Sequence, residues 1–170
     1  MNAKRIVAVF LTCTILFLIV YPSIGSGTLL LRVRNIPVKT EQTVERIYVT
    51  YKLVMAHPSN MANDSGWKVV ANETRRFDLV ALTNTTEFLV QSRLTAGKYD
   101  MIKIQIINAS AVVNGTEVRL EVPPKDVMVG VEFTLRIDRE TTILLDLHSN
   151  YQEILTLKRL LPVVNATVVR

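Results

Sequence analysis

Val-Val-Asn-Gly-Thr-Glu-Val-Arg-Leu-Glu-Val, residues 112–122, carries the clearest local structural signal in the chain. Asn114 and Gly115 readily adopt the two positive φ values of a type I′ turn, whose twist matches that of the flanking strands. Apolar and charged residues alternate after the turn, and the alternation ends at Pro123-Pro124, because proline cannot donate to a strand ladder. This stretch predicts a β-hairpin.

The same apolar and polar alternation extends outward from the hairpin in both directions. In the longest segment, 44–55, it places Ile47, Val49, Tyr51, Leu53 and Met55 on one face. Segment 77–82 is compatible with a strand or with one helical turn, and Gly97 suits a tight connection after residue 94. The pattern predicts strands at 28–34, 44–55, 67–70, 88–94, 99–107, 131–137 and 143–147, and segments 154–160 and 163–169 are expected to supply the last one or two strands.

The composition agrees with a sheet protein. Of 170 residues, 49% are hydrophobic and 21% charged, which excludes a disordered chain, and Val, Ile and Thr make up 53 residues. About eight strands without a helical repeat predict one all-β domain, a two-layer sandwich in which each sheet buries its apolar face against the other. The single Cys excludes an internal disulfide and a thiolate zinc site.

The N-terminus has the organisation of an export signal. Lys4 and Arg5 precede an apolar run over residues 6–21, and a stretch rich in small residues follows at 22–27. The run is shorter than the roughly 18–20 residues that a spanning helix needs, which favours a cleaved signal over residues 1–25 and a mature domain over 26–170. The alternative is an uncleaved anchor, which would be the only part of the chain in contact with a membrane.

Six of the ten asparagines lie in Asn-x-Ser/Thr sequons, whereas random placement in this composition would give about 1.4. Together with the export signal, this excess predicts an N-glycosylated protein that is extracellular or at the cell surface. The alternative is that Asn, Ser and Thr are simply common in turns. We expect the loop positions to be modified most readily and position 165 least readily. The predicted acceptors are Asn63, Asn72, Asn84, Asn108, Asn114 and Asn165.

The sequence contains no motif that would assemble a catalytic site. It lacks a Gly-rich phosphate loop, Gly-x-Ser-x-Gly and His-Glu-x-x-His, and its two histidines, His57 and His148, have no evident companion ligands. We therefore predict no enzymatic activity, no cofactor and no metal site. The competing enzyme class is a glycan-processing hydrolase that uses two of Asp100, Asp138 and Asp146. The single Trp, Trp67, is expected to pack in the core.

Nine short pieces follow the order and spacing of a known family. On them the chain is similar to the domain-of-unknown-function 4382 family of exported prokaryotic proteins, and the resemblance implies an immunoglobulin- or transthyretin-like sandwich and export, but no activity. Residues 34–37 and His148 depart from the family pattern of acids, so any cation site built from those acids would be incomplete here. The pieces are 27–29, 54–59, 66–67, 77–82, 94–99, 113–115, 120–123, 144–147 and 157–162.

These observations predict an exported surface or secreted module with a non-enzymatic binding, adhesive or envelope-structural role. Its expected partners are other envelope proteins, glycans or further copies of itself. The net charge of +5 is mild and the basic residues are not interleaved with aromatic ones, so nucleic acid is not an expected partner. The alternative is a filament subunit that exchanges strands; because neither end shows a spare strand, it would have to exchange residues 28–34.

Overall fold

The computed structural model describes residues 25–37, 44–62, 65–83 and 85–169. Residues 1–24 of the predicted export signal and the predicted acceptors Asn63 and Asn84 lie outside these ranges. Within them, no helical segment combines the length and the apolar character that crossing a lipid bilayer requires.

The described residues form nine strands and one short helix. Two sheets contain all of the strands: a mixed sheet of four strands and an antiparallel sheet of five. The helix connects the last two strands. In chain order the elements are β1 (Ser26–Asn35), β2 (Val44–Pro58), β3 (Lys68–Asp78), β4 (Glu87–Thr95), β5 (Gly97–Val113), β6 (Thr116–Leu120), β7 (Asp126–Leu135), β8 (Glu140–His148), α1 (Tyr151–Leu157) and β9 (Val163–Val169).

The strands form a two-layer sandwich, which confirms the predicted fold class. Sheet A has the order β4-β1-β8-β9, and its central pair, β1 and β8, is parallel. Sheet B has the order β3-β2-β5, and the 17-residue strand β5 is long enough to pair with β7 along its first half and β6 along its second.

The core lies between the two sheets, where the inward positions of each strand are buried. Leu29 and Leu31 of β1 and Ile143 of β8 are fully buried from sheet A, and Ile47 and Ile102 are fully buried from sheet B. Burial of such side chains, at about 25 cal/mol per Å² of apolar surface, is the main force holding the layers together. Tyr51 adds a directional link, because its hydroxyl in sheet B donates to the Leu89 carbonyl in sheet A over 2.9 Å.

Strand β2 changes its buried face part-way along. The sequence predicts Leu53 and Met55 on the face of Tyr51, and this prediction is wrong. The pairing of β2 with β3 shifts register between residues 51 and 53, and Val54 and Ala56 become the fully buried residues while Leu53 and Met55 are half-exposed. A bulge inserts one residue and so reverses the alternation beyond it.

The predicted strand at 154–160 is also wrong, because residues 151–157 form helix α1. Asn150 caps the helix by accepting from the backbone N–H groups of Gln152 (3.1 Å) and Glu153 (3.4 Å). The cap, with Glu at the third helical position, favours a helix that buries Ile154. Lys158, at φ 50°, ends it. The final strand, β9, is confirmed.

The two connections predicted from glycines differ in their outcome. Asn114 (φ 49°) and Gly115 (φ 73°) form the predicted two-residue hairpin turn, with Val113 paired to Thr116. The connection at residues 96–97 is as short as predicted, but it does not join neighbouring strands of one sheet. Residue 96 joins β4 in sheet A to β5 in sheet B and so crosses between the layers. Tyr99 braces this crossing, because its hydroxyl donates to the Thr95 carbonyl over 2.8 Å. A similar tyrosine brace occurs in immunoglobulin-like sandwiches.

Two of the shorter predicted segments change in extent. The strand predicted at 67–70 is an 11-residue strand, β3, and it includes the first two residues of segment 77–82. The rest of that segment is a turn, in which the Val80 N–H donates to an Asp78 carboxylate oxygen over 3.0 Å. The side chain of Asp78 thereby ends the strand.

Candidate functional site around His57 and Asp100

A β-bulge at Asp100 creates the most unusual polar site among the described residues. Tyr99 pairs with Pro58 and Met101 with His57, so Asp100 is the extra residue relative to β2. On the other side of β5 the register also shifts, because Val131 and Glu132 of β7 both lie opposite Asp100. Bulges free a residue from the ladder and re-aim its side chain. Here the bulge directs the Asp100 carboxylate toward His57 at the end of β2.

His57 has no solvent exposure and is bound at both ring nitrogens. Nδ1 lies 2.8 Å from Asp100 Oδ1, and Nε2 lies 2.9 Å from the Ala62 carbonyl oxygen. A carbonyl can only accept, so Nε2 donates; a carboxylate also accepts, so the doubly protonated ring fits both contacts. The hydrogen bond to Asp100 raises the pKa of His57 above 6.5, against the opposing effect of burial, and the Ala62 carbonyl adds to the increase.

Trp67 and Lys103 complete the group, which we call the His57 cluster (His57, Asp100, Trp67 and Lys103). The rings of His57 and Trp67 are tilted with centroids 5.0 Å apart, and Lys103 Nζ lies 4.4 Å from the Trp67 ring centroid. Lys103 therefore makes a cation–π contact with the indole, and the His57 ring makes an aromatic contact with it. The prediction that Trp67 packs in the core between the sheets is wrong: Trp67 is half-buried and covers His57 on the outer side of sheet B.

The chemistry of the His57 cluster is that of an anchor. A general base needs an available nitrogen, and both nitrogens of His57 are already occupied by acceptors. Its contact with Ala62 instead fastens the loop after β2 to the bulged strand β5. His57 and Asp100 are 43 residues apart in sequence, and their pairing depends on a bulge that no local pattern announces. The sequence pattern therefore presents both residues as candidates but does not predict that they are in contact.

The three candidate carboxylates are each bound by a different partner. Asp100 is paired with His57. Asp138, on an exposed turn, accepts from Arg93 over 2.9 Å, and Asp146, in β8, forms a two-point contact with Arg34 that includes an Nη2–Oδ2 distance of 3.0 Å. The structure therefore assigns separate ion pairs to the carboxylates that a glycosidase would need to act together.

The two histidines also belong to separate contacts. His148 Nε2 lies 3.2 Å from the Asn165 amide nitrogen on sheet A, whereas His57 is held by Asp100 and Ala62 beside sheet B. Among the described residues, no group of three or more His, Cys, Asp or Glu side chains is arranged to hold a metal ion.

A narrow apolar cavity lies between the sheets. Its volume is about 30 Å³, and its lining is almost entirely apolar, including Ile104, Val127 and Leu145, with Tyr51 and His148 as its titratable residues. Pockets that bind drug-sized ligands usually have roughly 300–1,000 Å³. This cavity is a packing gap rather than a substrate site.

The four described acceptor asparagines all have exposed side chains. Asn114 lies at the tip of the β5–β6 hairpin. The other three lie on strands rather than in loops: Asn72 and Asn108 project from sheet B, and Asn165 projects from sheet A. The structure therefore places these acceptors at accessible positions, while their glycosylation remains a prediction.

Most of the chain matches a known protein family. Residues 26–152 match the family described as Domain of unknown function (DUF4382). The chain belongs to this family. The match runs from the start of β1 into α1, confirms the resemblance found in the sequence, and leaves β9 outside the matched range. Neither the curated proteins nor the solved structures compared with this DUF4382 chain contain a match.

Proposed function

We propose that this DUF4382 protein is an exported, N-glycosylated module at the cell surface or in the secreted fraction, with a non-enzymatic binding, adhesive or envelope-structural role. The observation that carries the proposal is the exposure of all four described acceptor asparagines, at a hairpin tip and on the outer sides of both sheets. A glycosyltransferase needs such accessible amides. The export signal in the sequence is an independent argument for the same compartment.

The occupied state of the candidate catalytic groups supports a non-enzymatic role. His57 has no available nitrogen, and Asp100, Asp138 and Asp146 are paired with His57, Arg93 and Arg34 respectively. A hydrolase would need an acid and a nucleophile or base that face one substrate.

The position of β1 favours a self-contained module over a filament that exchanges residues 28–34. Strand β1 lies inside sheet A, with backbone pairing to β4 on one side and to β8 on the other. Its fully buried Leu29 and Leu31 belong to the core. Donating this strand to a neighbour would open both ladders and the core together.

Mass spectrometry of the protein purified from its own organism tests the proposal. We expect an N-terminus near residue 26 and a mass above that of the polypeptide, with sugars mapped to the exposed acceptors. Protein made in a host without N-glycosylation provides the bare-mass control. A native protein with the bare polypeptide mass would contradict the glycoprotein proposal.

A broad hydrolase screen tests the non-enzymatic part. We expect no turnover above that of a blank preparation. If turnover appears and Asp138→Asn or Asp146→Asn abolishes it while the fold is retained, the enzyme alternative replaces our proposal.

A further inference from the structure

Strand β9 differs from the other edge strands that the structure describes. β3, β4, β6 and β7 each carry at least two charged side chains, such as Glu87 and Arg93 in β4 and Asp126 and Glu132 in β7. β9 reads Val-Val-Asn-Ala-Thr-Val-Val and has no charge, proline or glycine. Charges and prolines on edges are the usual protection against pairing with another chain. β9 lacks that protection.

Strand β9 forms a regular sheet edge without a β-bulge. It pairs with β8 over seven consecutive positions without a register shift, and in the described ranges its other side makes no sheet pairing. Val164, Ala166 and Val168 pack against the core, while the alternate residues project outward. Val163 and Val169, at the two ends of the strand, are 58% and 49% exposed. Exposed apolar side chains therefore accompany an edge that makes no second sheet pairing among the described residues, although β9 also lies close to β7 of sheet B.

The sequence of β9 is complementary to itself when reversed. In an antiparallel alignment centred on Ala166, each valine meets a valine and the two small polar residues meet each other. The pairs, with the second residue taken from a second copy, are Val163 with Val169, Val164 with Val168, Asn165 with Thr167, and Ala166 with Ala166. Valine pairs and hydrogen-bonding Asn–Thr pairs are favourable neighbours across antiparallel strands.

We propose that β9 pairs with β9 of a second copy of this chain, around a two-fold axis through Ala166. The pairing joins two four-stranded sheets into one eight-stranded sheet that runs through a dimer. Such an interface is isologous and uses the same edge of both copies, so it closes at two. The opposite edge of sheet A, β4, carries Glu87 and Arg93, which argues against further growth from that side. This inference goes beyond the proposed function and does not depend on it.

Charge variants at the ends of β9 test the dimer. The full chain is produced in a host without N-glycosylation, so that Asn165 carries no sugar, and its mass in solution is measured by sedimentation across a range of concentrations. We expect the unmodified chain to dimerise. Both Val163→Lys/Val169→Lys and Val163→Glu/Val169→Glu place like charges opposite each other across the interface, and each is expected to be monomeric. An equal mixture of the two is expected to form heterodimers that dissociate at high salt.

A third variant tests the direction of pairing. In Val163→Lys/Val169→Glu, opposite charges meet in the antiparallel register, whereas a parallel register would bring like charges together. We expect this variant to dimerise. Met128→Lys/Ile107→Lys is the control for the Val163→Lys/Val169→Lys variant. It adds the same two charges at apolar side chains that are exposed on sheet B, at 63% and 41%, away from β9. It should dimerise like the unmodified chain.

Several outcomes would overturn the proposal. They are an unmodified chain that is monomeric at every concentration, a dimer that survives the Lys/Lys variant, a mixture without heterodimers, or assemblies larger than two that depend on β9. Near-ultraviolet circular dichroism of each variant establishes that loss of the dimer is not loss of the fold.

Discussion

At the residue scale, His57 is the side chain on which the local structure depends most. It is fully buried, it joins the loop carbonyl of Ala62 to the bulged Asp100, and Trp67 covers it. Leaving a buried polar group without its partner costs roughly 1–3 kcal/mol, and more for charged groups. The end of β2 therefore depends on the two hydrogen bonds that His57 makes, to Asp100 and to the Ala62 carbonyl.

We expect the stability of the protein to fall as the pH rises above 6.5. The pKa of His57 in the folded state is raised above its ordinary value of 6.5, so the folded state binds the proton more tightly than the unfolded state. The stabilisation is fully present below pH 6.5 and is lost as the pH rises through the raised value. Asp100→Asn removes the main cause of the shift and should lower the free energy of unfolding by about 1–2 kcal/mol near pH 6.

Denaturant unfolding at a series of pH values measures this effect. The difference between the unmodified protein and Asp100→Asn should shrink toward high pH. His148→Gln, which changes the other histidine, is the control. Introduced into both proteins, it should not alter the way in which the stability difference between them depends on pH. Two parallel curves for the unmodified protein and Asp100→Asn would show that the pair does not titrate as we expect.

At the element scale, local sequence signals and long-range register play different parts. The hairpin at Asn114 follows from two residues that tolerate positive φ, and helix α1 follows from a cap and a short amphipathic segment. The bulges in β2 and at Asp100 arise only when three long strands must remain in register over a shared core. The sequence of a single strand therefore contains no signal that predicts where such a bulge will lie.

This difference explains which parts of the molecule the sequence could predict. The sandwich, the hairpin and β9 were predictable because alternation and turn residues act locally. The burial of Val54 in place of Leu53 and the contact between His57 and Asp100 were not, because each depends on the partner strand. Asn150 did carry a usable signal, since a capping residue followed by Glu at the third helical position marks a helix start.

Helix α1 should depend on its cap. We expect Asn150→Ala to lower the free energy of unfolding by about 1 kcal/mol, because the N–H groups of Gln152 and Glu153 lose their acceptor. Asn150→Asp keeps an acceptor and should preserve most of the stability. Gln152→Ala, an exposed change in the same turn, should stay within about 0.5 kcal/mol of the parent. Thermal unfolding of the three variants compares them, and equal losses in all three would rule out the capping role.

At the scale of the whole molecule, the predicted sugars and the proposed dimer compete for the same region. Asn165 projects from sheet A on the edge strand, and in the dimer the two copies of Asn165 would be diagonal neighbours roughly 7–8 Å apart. Bulky glycans on both would stand side by side on one face of the joined sheet. Modification would therefore weaken the pairing of β9.

We expect native protein with a sugar on Asn165 to be mainly monomeric, and native protein with Asn165→Gln to recover the dimer. Asn72→Gln, which removes an acceptor from sheet B, is the matched control and should not change the mass in solution. Sedimentation of the three proteins from the same organism measures the difference. If the glycosylated protein dimerises as tightly as the sugar-free protein, glycosylation of Asn165 does not weaken the pairing of β9.

The hairpin tip has a chemical consequence as well. Asn114 is exposed and is followed by Gly115, which has no side chain to shield its backbone nitrogen; the N–H donates to a carboxylate oxygen of the exposed Glu45 over 2.9 Å, a contact that must open before the nitrogen can react. That nitrogen can attack the side-chain carbonyl carbon of Asn114 and expel ammonia, and water then opens the resulting ring to aspartate or isoaspartate. A sugar on the amide nitrogen prevents the loss of ammonia. Peptide mapping of stored sugar-free protein should show this conversion at residue 114 well before residues 108 and 165, which precede alanine, so the glycan would also protect the turn against chemical ageing.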